Sequence, residues 1–342
     1  MSERQALALK YRPKTFEDVV EQGSVRTILK QQLDTNTFKS AYLFCGAAGT
    51  GKTTCARIFA NEINKGQGNP IEMDAASHNS VEDVRKINEQ ARTKSLDSEY
   101  KIFIIDECHS LSNSAWQAML KLIEEPPAKT IFIFATTDPQ KIPRTILSRV
   151  QRYDFQRITT RGIEERIADI LHKENIETYD NESIEFIAKM AEGGMRDALT
   201  LLDKCLSYNN ALTIENVIKA LGTVNYDTMF GLTDSIVFKE PQKVIETIEH
   251  LYLSGTDLKQ FVKTYLQFIL DVNKYCLTES FDFINIPKTY EPELCEYKGD
   301  NVSNNVYDMV NLLDALIKLN TDIKWESSPK ALIEATLLLR CI

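Results

Sequence analysis

The sequence predicts an α/β nucleotide-binding domain on a parallel sheet, followed by helical domains. Three observations carry that expectation. Continuously apolar runs of four or five residues recur between residues 40 and 155, separated by helical patterns, as strands covered on both faces require. A glycine-rich loop, residues 46–53, follows the first run and opens a predicted helix. From about residue 157 onward the apolar spacing changes to three and four, the period of helices packed on one side.

Taken in order, Ala41-Tyr42-Leu43-Phe44-Cys45 is the first strand, and residues 54–61 are a helix. Ile102-Phe103-Ile104-Ile105 and Ile131-Phe132-Ile133-Phe134-Ala135 are two more strands. Ile163, Ile167, Ile170 and Leu171 then mark a helix with Thr159 or Thr160 as its cap; Ile184, Ile187, Ala188 and Ala191 mark a second, capped by Asp180 or Asn181. Past Val224 the helical spacing continues through Val244, Ile248 and Leu251, then Phe261, Tyr265 and Ile269, then Leu312 and Leu316. A polar, proline-bearing interruption runs from about residue 278 to 305, and residues 331–342 read as a last helix.

The 342 residues allow two or three domains, and 43% hydrophobic with 26% charged residues describes a globular chain. No uninterrupted apolar run reaches about 18 residues, and residues 1–10 lack the apolar centre of a secretory signal. A cytoplasmic location with no membrane contact is the expectation. The seven cysteines form no Cys-x-x-Cys pair, so reduced, mostly buried thiols are expected rather than a metal site. Net charge is -9, unevenly spread: residues 1–160 hold 22 Lys and Arg against 19 Asp and Glu, the remainder 18 against 30. That excludes a wholly basic coat for nucleic acid but not a few phosphate contacts.

The loop Gly46-Ala47-Ala48-Gly49-Thr50-Gly51-Lys52-Thr53, with Thr54 beyond it, carries the strongest chemistry. Its glycines let backbone N–H groups close around phosphates. Lys52 neutralises phosphate oxygens, and the Thr53 hydroxyl suits Mg²⁺. Asp106 ends an apolar strand at the edge where such sheets bind ligands, and is expected to hold Mg²⁺ through water. Glu107 beside it is the candidate to polarise an attacking water. Taken alone, the loop would be a glycine turn and Asp106-Glu107 a solvated acidic pair. Asp106-Glu107-Cys108-His109 also matches a helicase box, but no second recombinase-like domain follows.

With these residues in place, the front of the chain resembles the γ/τ subunits of bacterial DNA polymerase III, which are AAA+ clamp-loader ATPases. The resemblance runs from Leu9 to about Gly222. It rests on Lys10-Tyr11-Arg12-Pro13 with Phe16-Glu17-Asp18-Val19-Val20, the phosphate loop, Met73-Asp74-Ala75-Ala76-Ser77, and Asp106-Glu107. Further matches are Leu120-Lys121 with Glu124-Glu125-Pro126-Pro127, residues 135–143, Ser148-Arg149, and residues 193–199. The resemblance implies an AAA+ P-loop fold over residues 1–158, a helical lid over 159–222 and an all-α oligomerisation collar over 223–342. It implies that Tyr11, Arg12 and Pro13 pack on the adenine, that Thr137 and Arg196 sense the nucleotide, and that Arg149 reaches the ATP of a neighbouring subunit. ATP and Mg²⁺ are the implied cofactors; a five-subunit ring, a sliding clamp and primer-template DNA are the implied partners.

Two departures from the family pattern stand out. Its four-cysteine zinc module is missing, because residues 61–72 form a short polar link without cysteine, so no zinc is expected. Val150 replaces the cysteine that usually follows the finger arginine. For DNA, the family uses helices beginning near Ser77 and Ser112; this chain offers Ser77, His78, Asn79 and Ser80, then Ser112 and Asn113, where basic residues are often found. Backbone N–H groups at helix starts remain as phosphate donors. Other readings are a different AAA+ DNA motor, such as a branch-migration helicase, and a non-catalytic scaffold of the loader.

Overall fold

The structure is a computed structural model describing residues 5–95, 97–221, 226–297 and 302–341. The expected lid–collar boundary at 222/223 lies outside the described residues. The chain divides into two compact units, Met1–Ile176 with Ile187–Asp203, and Glu177–Phe186 with Lys204–Ile342.

The first unit holds a five-stranded, all-parallel sheet: β1 (Ala41–Cys45), β2 (Ile71–Asp74), β3 (Lys101–Asp106), β4 (Thr130–Thr136) and β5 (Gln151–Asp154), in the order β2-β3-β4-β1-β5. The three strands legible in the sequence are the three central ones. They are apolar throughout because helices cover both faces: Leu43, Phe103, Phe132 and Phe134 pack on Trp116 and Met119, whereas Tyr42, Phe44, Ile104 and Ile133 pack on Cys55 and Phe59. The edge strands β2 and β5 alternate buried or half-buried with exposed residues over most of their length, which leaves no continuous apolar run to read.

The first helix after the loop extends beyond the expected 54–61, running Lys52–Ile63. In the link after this helix, Asn64 clamps the chain to the start of β3. Its amide donates to the Tyr100 carbonyl at 2.9 Å and its oxygen accepts from the Tyr100 N–H at 2.9 Å. Thr159, rather than Thr160, caps helix Thr160–Lys173, accepting from the Gly162 N–H. Asp180 accepts from the Ser183 N–H ahead of helix Asn181–Met190.

The second unit is helical. Its long helices Leu258–Thr278 and Val302–Asp322 accompany Tyr226–Val237, Pro241–Leu253 and Pro329–Leu338. Phe261, Tyr265 and Phe268 stack along one side of the first, and the Tyr265 hydroxyl meets that of Thr233 at 2.9 Å. The expected interruption between residues 278 and 305 is shorter and less irregular: two 3-10 turns and helix Glu291–Glu296 fill it, and the next helix begins at Val302. Buried Asp271 organises this stretch, accepting from the Asn285 N–H at 2.9 Å and the Gln267 amide at 2.8 Å. No described helix is long and apolar enough to cross a membrane.

Candidate active site

The carboxyl ends of β1, β3 and β4 bring the predicted chemistry together. After β1 the chain turns through residues 46–51, and close neighbours require two of its glycines. A Cβ on Gly46 would lie 2.5 Å from the Phe155 carbonyl oxygen; one on Gly49, at φ +71°, would lie 2.9 Å from the Gly194 Cα. Ala47 and Ala48 lie between them, and the Thr50 hydroxyl donates to the Ala47 carbonyl at 2.9 Å. Gly51, at φ +101°, then starts helix Lys52–Ile63 with no side chain capping the first-turn N–H groups. Those donors, aligned with the positive end of the helix dipole, suit a phosphate.

Lys52 is buried, and its ammonium donates to the carbonyls of Gly46 and Ala47 at 2.9 and 2.7 Å. Burial lowers its pKa, with the nearby Glu107 and Asp106 opposing that shift. The Thr53 hydroxyl donates to Asp106 at 2.6 Å, and the other Asp106 oxygen accepts from the Glu107 N–H at 3.0 Å. A hydroxyl and a carboxylate converging beside a phosphate-binding loop form an oxygen donor set that fits Mg²⁺. Among the described residues no three His, Cys, Asp or Glu side chains form a metal cluster of their own.

Glu107 sits at φ +46°, a left-handed conformation just past β3. Its carboxylate accepts from the Thr137 hydroxyl at 3.1 Å and lies 3.3 Å from His109 Nδ1. The parallel pairing of β3 with β4 puts Asp106, Glu107, Thr136 and Thr137 at one rim.

Two outlying segments close on this rim. Arg12 Nε donates to the Thr54 hydroxyl at 3.2 Å, and burial, then the neighbouring Arg57, lowers its pKa. The Tyr11 hydroxyl donates to Glu174 at 2.6 Å, Arg166 donates to the Tyr11 carbonyl at 3.1 Å, and Pro13 follows half-buried. On the other side Met195 N–H donates to the Gly49 carbonyl at 3.0 Å. Arg196 is therefore next to a residue hydrogen-bonded to the phosphate loop, on the first turn of helix Met195–Tyr208.

Sequence reasoning assigned no role to Gln22, yet it ties this site to the segment leading out of β5. Its amide donates to the Gln156 carbonyl at 2.7 Å and to the Thr50 carbonyl at 3.4 Å, while its oxygen accepts from the Gln156 N–H at 3.1 Å. Only its place just after the quoted Val19-Val20 hinted at it. Glu174 and Arg166 lie more than 150 residues from Tyr11 and carried no signal.

Arg149 is not brought to the loop of its own chain. Gln151 pairs with Tyr42 in parallel register, so Arg149, two residues earlier, lies towards the amino end of β1, on the order of 20 Å back from Gly46 at about 3.3 Å per residue. There it pairs with Glu124 at 2.8 Å and donates to the Thr145 carbonyl at 2.8 Å. The two helix starts expected near DNA lie side by side, because Ser112 N–H donates to the Asn79 carbonyl at 3.1 Å. Ser80 caps helix Val81–Ala91 and Ser112 caps helix Asn113–Glu124. Ser77, His78 and Asn79 are exposed just ahead of the first. They differ in charge: Glu82 and Asp83 occupy the first turn of the former, whereas the latter has no acidic residue there.

Comparison with known proteins fits this geometry. The model for the DNA polymerase III clamp loader subunit ATPase lid domain matches residues 162–211, and that for the DNA polymerase III delta subunit matches residues 69–159. The DNA polymerase III subunit tau of Bacillus subtilis is 34% identical over 98% of this chain and 63% of its own length. The chain thus spans less than two thirds of that relative. The gamma subunit of Buchnera aphidicola subsp. Acyrthosiphon pisum is 30% identical over 98% of both chains. That of Buchnera aphidicola subsp. Baizongia pistaciae is 33% identical over 78% of each. The Thermotoga maritima RuvB Holliday junction branch migration motor superimposes with a TM-score of 0.53 at 20% identity, over 66% of this chain and 79% of that one. That likeness concerns the fold alone. With two gamma subunits matched at 30% identity or more over most of their lengths, the chain belongs to the DNA polymerase III gamma/tau family.

Proposed function

We propose that this chain is an ATP-hydrolysing motor subunit of a clamp loader, which opens a sliding clamp and closes it around primer-template DNA. The observation that carries the proposal is the convergence of Lys52, Thr53, Asp106, Glu107 and Thr137 on one rim, with residues 194–196 against the phosphate loop. Lys52 and the free N–H groups of its helix bind the β- and γ-phosphates. Thr53, and Asp106 through water, would hold Mg²⁺, which would supply charge neutralisation at the phosphate oxygens. Glu107 orients a water in line with the γ-phosphorus and accepts its proton as the new P–O bond forms and the bond to the β-γ bridging oxygen breaks. Thr137, hydrogen-bonded to Glu107, and Arg196, beside the loop, report the γ-phosphate to the lid.

Tyr11, Arg12 and Pro13 form the adenine side of the pocket. Arg149 acts in trans: the sheet register keeps it away from its own loop and leaves it half-exposed to meet a neighbour. Residues 159–222 are read as the lid, which the lid-domain match supports, and 223–342 as the collar of a five-subunit ring. For DNA, the start of helix Asn113–Glu124 is the better phosphate site, since Glu82 and Asp83 repel anions from the other. The loader works in the cytoplasm without zinc. The test is ATP turnover by the chain assembled with its cognate loader subunits. Clamp and primed DNA together should stimulate it several-fold; turnover indifferent to both, or driven instead by four-way junction DNA, would remove the clamp-loader reading.

A further inference from the structure

His109 is a residue for which the proposed mechanism has no use, yet it is built into the rim. It lies on the 3-10 turn Cys108–Ser110 directly after Glu107. That turn is pinned by the fully buried Cys108 and by the Ser110 N–H donating to the Glu107 carbonyl at 2.9 Å. The imidazole is largely covered, and its Nδ1 faces two oxygens: Glu107 Oε2 at 3.3 Å and the hydroxyl of fully buried Thr136 at 3.1 Å. Thr136 is itself fixed, its hydroxyl oxygen accepting from the Asp138 N–H at 3.0 Å.

The end of β4 therefore reaches Glu107 by two routes, directly through the Thr137 hydroxyl and indirectly through Thr136 and the imidazole. A carboxylate only accepts, so its contact with Nδ1 is favourable when Nδ1 carries the proton. Glu107 sits at φ +46° just past the end of β3, outside the strand ladder, so such side-chain contacts set the aim of its carboxylate.

We propose that His109 is the positioning residue for Glu107, with the donor at Nδ1 aiming the carboxylate at the attacking water. This rests on Glu107 being the water-polarising group. The geometry specifies which replacement works. An asparagine carries its amide nitrogen one bond beyond Cγ, where Nδ1 sits; a glutamine carries it one bond further out, nearer Nε2.

The experiment compares His109→Asn, His109→Gln and His109→Ala in the full chain, assembled with its cognate loader subunits. Single-turnover ATP hydrolysis is read beside nucleotide affinity, with Glu107→Gln as reference. His109→Ala and His109→Gln should slow hydrolysis by about tenfold or more, and His109→Asn should stay within about threefold of wild type, all with affinity unchanged. An inactive Glu107→Gln alongside undiminished His109→Ala overturns the proposal alone. Equal losses in all three His109 variants, or losses that follow weakened nucleotide binding, overturn it too, because the side chain would then merely support the turn. Wild-type turnover in Glu107→Gln removes the assignment of Glu107 and this proposal with it.

Discussion

Lys52 and Glu107 stand a short distance apart and are expected to fail differently. Lys52 is a buried cation, and its attraction to phosphate is present before any bond breaks. Under the proposed mechanism Glu107 acts on water, and its contribution would appear only in the transition state. Lys52→Ala should therefore abolish nucleotide binding in a direct titration, whereas Glu107→Gln should bind ATP as wild type does and lose turnover by at least about a hundredfold. Equal losses of affinity in the two variants would show that both act in the ground state. The loop residues and Asp106-Glu107 were legible because their chemistry depends on local spacing. Gln22 and His109 were not given roles, since what each does depends on partners such as Gln156 and Thr136 that only folding brings near.

At the scale of elements, polar clamps hold segments that hydrophobic periodicity does not. The Asn64 amide answers both the N–H and the C=O of Tyr100. Asn64→Ala leaves the Tyr100 N–H without this acceptor, while the carbonyl keeps the Ser98 hydroxyl, and should cost about 1–3 kcal/mol in a denaturant melt. In the helical unit, burial raises the pKa of Asp271 above its ordinary value of 3.8, against the Asn285 N–H and Lys274, which lower it. Between 3.8 and that raised value the native state binds more protons than the unfolded state. Stability from this group therefore falls as pH rises through the window. Asp271→Asn cannot titrate, so the melting temperature of wild type minus that of the variant should decline from pH 3.8 upward. A difference that rises with pH would show that hydrogen bonding, not burial, governs the carboxylate. Edge strands β2 and β5 escaped the sequence reading for a related reason: one-sided cover leaves an alternating pattern too short to stand out.

At the scale of the whole molecule, the active site is expected to be shared between subunits. Arg149→Ala should leave ATP affinity nearly unchanged, because Arg149 lies far back from its own loop, and should reduce hydrolysis by the assembled complex by on the order of 10³-fold. Mixing Arg149→Ala with Lys52→Ala subunits creates interfaces where an intact loop meets an intact finger. Partial activity should return, although neither variant works alone. Confirmed mixed assemblies that stay inactive, together with weakened ATP binding by Arg149→Ala, would place the arginine in cis. The purified chain should hold no stoichiometric zinc by elemental analysis and should keep its fold in chelator, since the polar link 61–72 offers no thiolate.

The sequence by itself determined the nucleotide-binding class and the central strands of its sheet. It also determined the loop and the two acidic residues that face it, because apolar runs, glycines and adjacent charges act over a few residues. Only the tertiary structure decided which distant groups complete the rim. Glu174 reaches Tyr11, residues 194–196 reach Gly49, and Arg149 is turned away towards Glu124. These contacts follow from strand order and helix packing, which bring together residues whose separation along the chain carries no local signal.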